Sequence, residues 1–129
     1  MRKNFIAALV MTACICDAVA QVPAGTSCNS AIPWTDASRY AGTTAFFSGP
    51  VVEVVHRSNV RGEPTWINIG RAYPDKARMT LLVWGKNLDA FGGSLQALTG
   101  KNVCATGAMG TYKGSAEMEI TNPKQISVR

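Results

Sequence analysis

The C-terminal stretch 100–128, GKNVCATGAMGTYKGSAEMEITNPKQISV, restricts the fold more than any other part of the chain. In its second half Met118 and Ile120 alternate with acidic residues, and in its first half Val103 and Ala105 alternate with polar ones. Alternation with a period of two is typical of strands with one buried face. The stretch therefore predicts two strands joined by a short turn.

The predicted turn, Tyr112-Lys113-Gly114-Ser115, combines an aromatic side chain, a cation and a glycine. Gly114 can adopt the positive φ that such turns require. Gly107 and Gly110 interrupt the first strand, which suits the bulge or sharp bend that closes a small barrel.

The same alternation predicts three earlier strands, at 43–57, 65–70 and 79–84. The first is long and is broken at Gly49-Pro50, as expected for a strand that bends to pair on both sides. Apolar residues at helical spacing predict a short helix over 87–98, and IPWTDASRYAG predicts a short N-terminal helix in which Trp34 and Tyr40 serve packing. Three strands, a helix and two further strands predict a mostly all-β fold, a five-stranded Greek-key barrel of the OB type.

The N-terminus has the pattern of a secretory signal peptide. Arg2 and Lys3 precede an apolar run, and Ala18-Val19-Ala20 forms a cleavage pattern before Gln21. The alternatives are a membrane anchor, for which the apolar run is short, and a lipoprotein signal with Cys16 at the cleavage point. We therefore predict a signal peptide at 1–20, an arm with a short helix at 21–41 and the barrel at 42–129, in a periplasmic or secreted protein without a membrane span.

Two cysteines remain in the predicted mature domain. Of the four in the chain, Cys14 and Cys16 lie in the predicted signal, which leaves Cys28 and Cys104. Two cysteines in an exported domain predict a disulfide, although two separate thiols are the alternative. Two cysteines and the single His56 do not suffice for a zinc site.

The full chain carries a net charge of +5. It remains positive after removal of the predicted signal, which favours nucleic acid, anionic lipid or acidic glycan as partner. Ordinary solubility charge is the alternative explanation.

Four segments resemble a known family: YAGTTAFFSGPVVEVV, PTWINIGRAYPD, LLVWG and LTGKNVCATGAMGTYKGSAEMEITNPKQI. They are similar to exported bacterial OB-fold domains of the nucleic-acid-binding, anticodon-binding-like group, which also occur appended to secreted thermonucleases. The resemblance covers nearly all of 21–129 and is most specific from Gly100-Lys101 to Gln125-Ile126. It implies the barrel and oligonucleotide binding, and it transfers no catalytic centre.

The ligand surface of an OB barrel consists of its second and third strands and the loops between strands one and two and strands four and five. Aromatic rings there stack on bases and cations follow the phosphates. Phe46 is expected to extend this surface. The predicted nucleic-acid-binding residues are Arg57, Arg61, Trp66, Arg78, Trp84, Lys86, Tyr112 and Lys113.

These observations predict a module that binds single-stranded nucleic acid with low sequence specificity. The alternatives are an envelope protein-interaction or assembly accessory that uses the same face, and a binder of small anionic ligands or glycans. No catalytic residues, metal or cofactor are predicted, because the carboxylates are scattered and His56 has no nucleophile beside it in sequence.

Overall fold

The computed structural model of the protein describes residues 22–93 and 95–129, so the predicted signal peptide lies outside the described residues. The described chain is mostly β. Its strands are β1 (Ile32–Pro33), β2 (Thr44–His56), β3 (Thr65–Ile69), β4 (Met79–Val83), β5 (Asn102–Tyr112), β6 (Ser115–Glu119) and β7 (Ile126–Val128). Its helices are α1 (Gly85–Leu88) and the 3-10 helices Cys28–Ser30, Trp34–Tyr40, Asp89–Phe91, Leu95–Leu98 and Pro123–Gln125.

Strands β2 to β6 pair around a ring. β2 pairs with β3, β3 with β4, β4 with β6, β6 with β5, and β5 again with β2. The β4–β6 pair is parallel and the other four are antiparallel. β2 reaches both neighbours because its first half pairs with β5 and its second half with β3, with an irregularity between Val51 and Glu53. This topology is that of an OB barrel.

The predicted count of five strands is wrong, because the sheet contains seven. The two additional strands are short and lie outside the ring, β1 beside β2 and β7 beside β5. The sequence 100–128 was expected to form two strands, but the second ends before Pro123. Proline lacks an N–H and suits the first turn of a helix, and Asn122 caps the 3-10 helix that follows.

The apolar side chains on the predicted inward face are buried, but burial does not alternate along β4, where all five residues are buried. Ile67, Ile69, Leu81 and Met118 are fully buried, and they project to the inside of the ring. The helical segment predicted at 87–98 is replaced by α1 and two 3-10 helices. Gly92 ends the 3-10 helix Asp89–Phe91 and has a positive φ. A residue inside a continuous α-helix would not adopt this conformation.

The N-terminal arm is anchored in three ways. A disulfide joins Cys28 to Cys104 in β5, as predicted. β1 pairs with β2, and the predicted N-terminal helix is present as the 3-10 helix Trp34–Tyr40. Trp34 and Tyr40 pack against the core, which confirms their predicted role.

The Trp34 indole lies against two glycines. A Cβ at Gly49 would lie 2.6 Å from its Cδ1 atom, and a Cβ at Gly70 would overlap its ring. Glycine is therefore required at both positions for the arm to seat against β2 and the end of β3.

We predict that Gly70→Ala destabilises the protein by about 1–3 kcal/mol more than Gly100→Ala, because it adds overpacking against Trp34. Both glycines have positive φ, +79° and +83°, so both substitutions strain the backbone. A Cβ at Gly100 meets nothing within 4 Å, which makes this variant the matched control. Urea denaturation of both variants measures the difference, and equal losses of stability would contradict the packing of Trp34.

Candidate functional site

A groove of about 610 Å³ lies on the outer surface of four strands. Its floor comes from β2, β3, β4 and β6, one wall from the β3–β4 loop, and the other from the β5–β6 turn. The residues that line it are Glu53, Val55, Arg57, Trp66, Asn68, Tyr73, Pro74, Lys76, Arg78, Thr80, Tyr112, Lys113, Ser115 and Glu117.

The strand register explains why these side chains share the groove. Ile67 and Ile69 project into the core, so Trp66 and Asn68 project to the opposite face. In the neighbouring strands Val55 lies beside Trp66, and Thr80 beside Asn68. The half-buried Trp66 ring therefore lies on the floor of the groove.

A chain of hydrogen bonds crosses the floor. The Thr80 hydroxyl donates to Asn68 Oδ1 at 2.7 Å, and Asn68 Nδ2 donates to Glu53 Oε1 at 2.8 Å. Glu53 Oε1 also accepts from the backbone N–H of Tyr73 at 2.7 Å. Asn68 and Thr80 are each 2% exposed, so the chain is mostly shielded from water. It holds the β3–β4 loop over the floor at a fixed position.

Each wall presents an aromatic ring with a cation on its face. The Arg78 guanidinium lies 5.1 Å from the Tyr73 ring centroid, and Lys113 Nζ lies 5.4 Å from that of Tyr112. Both contacts are within the range of cation–π attraction. Tyr73 is 71% exposed and Tyr112 is 56% exposed, so a ligand can reach both rings.

The two walls approach each other across the groove. A Cβ at Gly114, in the β5–β6 turn, would lie 3.6 Å from Lys76 Cδ in the β3–β4 loop. Gly114 has the predicted positive φ, +84°. This approach places Lys76 of one wall close to the turn that carries Lys113 in the other wall.

The structure brings five of the eight predicted site residues into the groove. They are Arg57, Trp66, Arg78, Tyr112 and Lys113. The other three, Arg61, Trp84 and Lys86, do not line it. Trp84 lies beyond the end of β4 and packs on the β2–β3 turn, where a Cβ at Gly62 would be 2.8 Å from its Cε3 atom.

Phe46 does not reach the groove. It lies in the first half of β2 and pairs with Thr106, where β2 adjoins β5 rather than β3. Its backbone N–H donates to the Gly25 carbonyl at 2.8 Å, so this region carries the N-terminal arm. Because β2 changes partner along its length, its parity alone could not place Phe46.

Sequence reasoning missed most of the β3–β4 wall. Tyr73 and Lys76 are not among the predicted site residues, because the OB pattern assigns binding to other loops. The signal was present as an aromatic residue between cations in RAYPDKAR. The polar floor residues Glu53, Asn68, Thr80, Ser115 and Glu117 were also missed, since they alternate with core residues like any outward side chain.

Glu117 lies on the floor of the groove and is half-buried. Burial raises the pKa of its carboxyl, the charge of Arg78 lowers it, and Glu119 raises it further. The net effect is a pKa above the ordinary value. Folding therefore favours the protonated form of this side chain.

We predict that Glu117→Gln raises the melting temperature at pH 7 and that its advantage over the wild type disappears toward pH 4. When folding raises the pKa of a carboxyl, its ionisation lowers the stability of the folded state at pH values above the folded-state pKa. The effect is absent at pH values below the pKa that the same carboxyl has in the unfolded chain. Thermal unfolding of the variant and the wild type across this range measures the difference. An advantage that stays constant with pH would contradict a desolvated carboxylate.

A separate cavity of about 820 Å³ lies between the end of β2 and the helical segment. His56 and Thr65 line it, and their Nδ1 and Oγ1 atoms are 2.9 Å apart. None of the eight predicted binding residues is among the described residues that line this cavity.

Within 22–93 and 95–129, no group of three or more His, Cys, Asp and Glu side chains is arranged to hold a metal ion. No helix in these two ranges has the length and hydropathy to cross a bilayer.

Comparison with known proteins supports the fold. No family model matches the chain, and no curated protein matches its sequence. An aspartyl-tRNA synthetase from Leishmania major Friedlin superposes with a TM-score of 0.52 at 13% identity. The match covers 83% of this chain and 22% of the synthetase, so this chain spans about a fifth of that protein's length.

Two smaller solved structures are also similar. The OB domain of a Methanosarcina mazei protein matches with a TM-score of 0.48 at 14% identity, covering 84% of each chain. An OBody bound to hen egg-white lysozyme matches with a TM-score of 0.46 at 17% identity, covering 82% of this chain and 92% of the OBody.

Proposed function

We propose that this protein is an exported, non-enzymatic OB module that binds short single-stranded nucleic acid in the groove between the β3–β4 loop and the β5–β6 turn. The binding depends little on sequence, because it uses base stacking and phosphate contacts. The observation that carries the proposal is the convergence of Trp66, Tyr73 and Tyr112 with four cations around one groove.

Each component has a role in such binding. The aromatic rings offer flat apolar faces, and stacking of one base on such a ring contributes about 1–3 kcal/mol. Arg57, Lys76 and Lys113 are exposed at the rims and would follow the phosphates. Arg78 is half-buried between the Tyr73 ring and the floor, so its charge acts inside the groove.

Export is part of the proposal. The Cys28–Cys104 disulfide is a bond that persists in oxidising compartments and is rare in the cytosol. It supports the signal peptide that the sequence predicts at 1–20. A kinship with the domains appended to secreted thermonucleases is proposed on the sequence resemblance.

Fluorescence anisotropy of labelled oligonucleotides across a salt series tests the proposal. We expect binding at low salt, and we expect the logarithm of the affinity to fall linearly as the logarithm of the salt concentration rises. An absence of binding at low salt, or binding with no salt slope, would refute it.

A protein partner on the same face is the second candidate, favoured by the exposed tyrosines on both rims, since tyrosine is enriched at interfaces. Pull-down with nuclease treatment separates the two. A partner retained after nuclease treatment favours the protein-interaction function, and loss of all captured material favours nucleic acid. A glycan or small anion would instead raise the melting temperature in a ligand screen.

A further inference from the structure

Two buried polar atoms of residues that line the groove have no hydrogen-bond partner. They are Ser115 Oγ and Arg78 Nε. Ser115 is only 3% exposed, and both residues line the groove. A buried polar group left without a partner costs about 1–3 kcal/mol. Such groups call for an explanation, and here both border a groove that a ligand can enter.

The two atoms belong to neighbouring positions. β4 and β6 run parallel, with Met79 beside Ala116 and Thr80 beside Glu117. By the same register Arg78, directly before β4, lies next to Ser115. Glu117 follows two residues further along β6 on the same face, about 7 Å away by strand geometry. Arg78, Ser115 and Glu117 therefore form one polar cluster, which we call the floor cluster.

The rest of the polar floor is already satisfied. Thr80, Asn68 and Glu53 bond to one another and to the backbone of the β3–β4 loop. Among the described residues, the ion pair that the structure shows joins Arg71 and Asp75 at 3.9 Å. Glu117 and Arg78 do not form an ion pair, although the charge of Arg78 lowers the pKa of the Glu117 carboxyl. Arg78 Nη1 donates to the Asp75 carbonyl at 2.8 Å, so within the groove the buried atoms that still lack a partner are Arg78 Nε and Ser115 Oγ.

The floor cluster has a defined donor and acceptor pattern. Arg78 Nε–H only donates, the Ser115 hydroxyl donates or accepts, and an ionised Glu117 carboxylate only accepts, through two oxygens. A fitting ligand edge presents an acceptor toward Arg78 and Ser115 and adjacent N–H donors toward Glu117. Two parallel N–H donors would use both carboxylate oxygens.

Among nucleobases, guanine carries this pattern on one edge, with the O6 acceptor beside the N1–H and N2–H donors. Adenine presents a single N–H₂ donor with an acceptor, cytosine presents a donor with two acceptors, and thymine has one N–H between two acceptors. Single-stranded bases are commonly read on their Watson–Crick edges while stacked on an aromatic ring. Trp66 lies on the same floor and can provide that ring.

We propose that the floor cluster reads one guanine by its Watson–Crick edge, with Glu117 accepting from N1–H and N2–H and with Arg78 and Ser115 donating to O6. This inference rests on the proposed function and adds one base-selective position to a strand that is otherwise bound without regard to sequence.

The test uses labelled oligothymidylate of about nine nucleotides, within the roughly 4–16 that an OB fold covers. Its central position carries thymine, adenine, cytosine, guanine or hypoxanthine, which lacks the N2 amino group. We expect the guanine oligonucleotide to bind about tenfold more tightly than the thymine one, as a bidentate base contact would give. Hypoxanthine is expected to fall between the two.

Glu117→Gln identifies the group responsible. Its amide has one acceptor oxygen and places an NH₂ against the guanine donors, so the preference for guanine is expected to fall below about twofold. Glu119→Gln removes the same charge from an exposed site two residues away and is expected to keep the preference. Melting temperatures of both variants check that they are folded.

The outcomes separate the two proposals. If the wild type binds none of the oligonucleotides at low salt, the proposed function fails. If it binds all of them equally, the function stands and the guanine inference is wrong. A guanine preference that survives Glu117→Gln would also overturn the inference, because another group would then be reading the base.

Discussion

Replacing Cys28 and Cys104 together by alanine is expected to lower the free energy of unfolding by about 4 kcal/mol. The disulfide joins residues 76 positions apart and so closes most of the barrel into one loop. In the chain-entropy account, a cross-link over a loop of this length restricts the unfolded chain by about that amount. The bond also ties Cys28, in the N-terminal arm, to β5. The same arm carries Ile32 and Trp34 into contact with the core.

Urea denaturation with and without a reductant measures this effect. The wild type is expected to lose the same stability when reduced, whereas the double variant is expected to show no response to the reductant. If the variant unfolds at the same urea concentration as the oxidised wild type, then burial of Ile32 and Trp34, and not the disulfide, holds the arm in place.

Removing three rim cations together, with Arg57→Ala, Lys76→Ala and Lys113→Ala, is expected to weaken oligonucleotide binding on the order of 100-fold at low salt. Each exposed charge contact contributes about 1 kcal/mol at the upper end of measured values. For single strands, each lost phosphate contact also lowers the slope of log affinity against log salt by about 0.7. The slope should therefore fall by about 2.

A variant of equal charge provides the control. Arg61→Ala, Lys86→Ala and Lys124→Ala also remove three exposed cations, but none of these residues lines the groove. We expect affinity and slope to change little in this variant. Equal losses in both triple variants would show that net charge, and not the groove, governs binding.

The ring of the barrel could be predicted from sequence because its strands are long enough to show alternation. Residues such as Ile67 and Met118 mark the buried face directly. β1 and β7 could not be predicted, because strands of two and three residues carry no detectable period. Their pairing depends on the docking of the arm and on the helix that begins at Pro123, and both are tertiary effects.

The candidate site was predicted only in part, for a related reason. Trp66 follows a strand whose parity is fixed by the core, so its outward position could be inferred. Trp84 continues the same pattern past the end of β4, where the chain turns into α1 and the parity no longer applies. Tyr73 belongs to a loop whose position depends on the bond to Glu53, and a pattern in sequence does not reveal such a bond.

The tryptophan indole N–H signals in NMR spectra test the central claim most directly. The chain has three tryptophans, and they lie in three environments. Trp34 packs against Gly49 and Gly70, Trp84 packs against Gly62, and Trp66 lies in the groove. Titration with a single-stranded oligonucleotide at low salt is expected to shift the Trp66 signal while those of Trp34 and Trp84 stay in place. A shift at Trp84 with Trp66 unchanged would contradict the groove as the binding site.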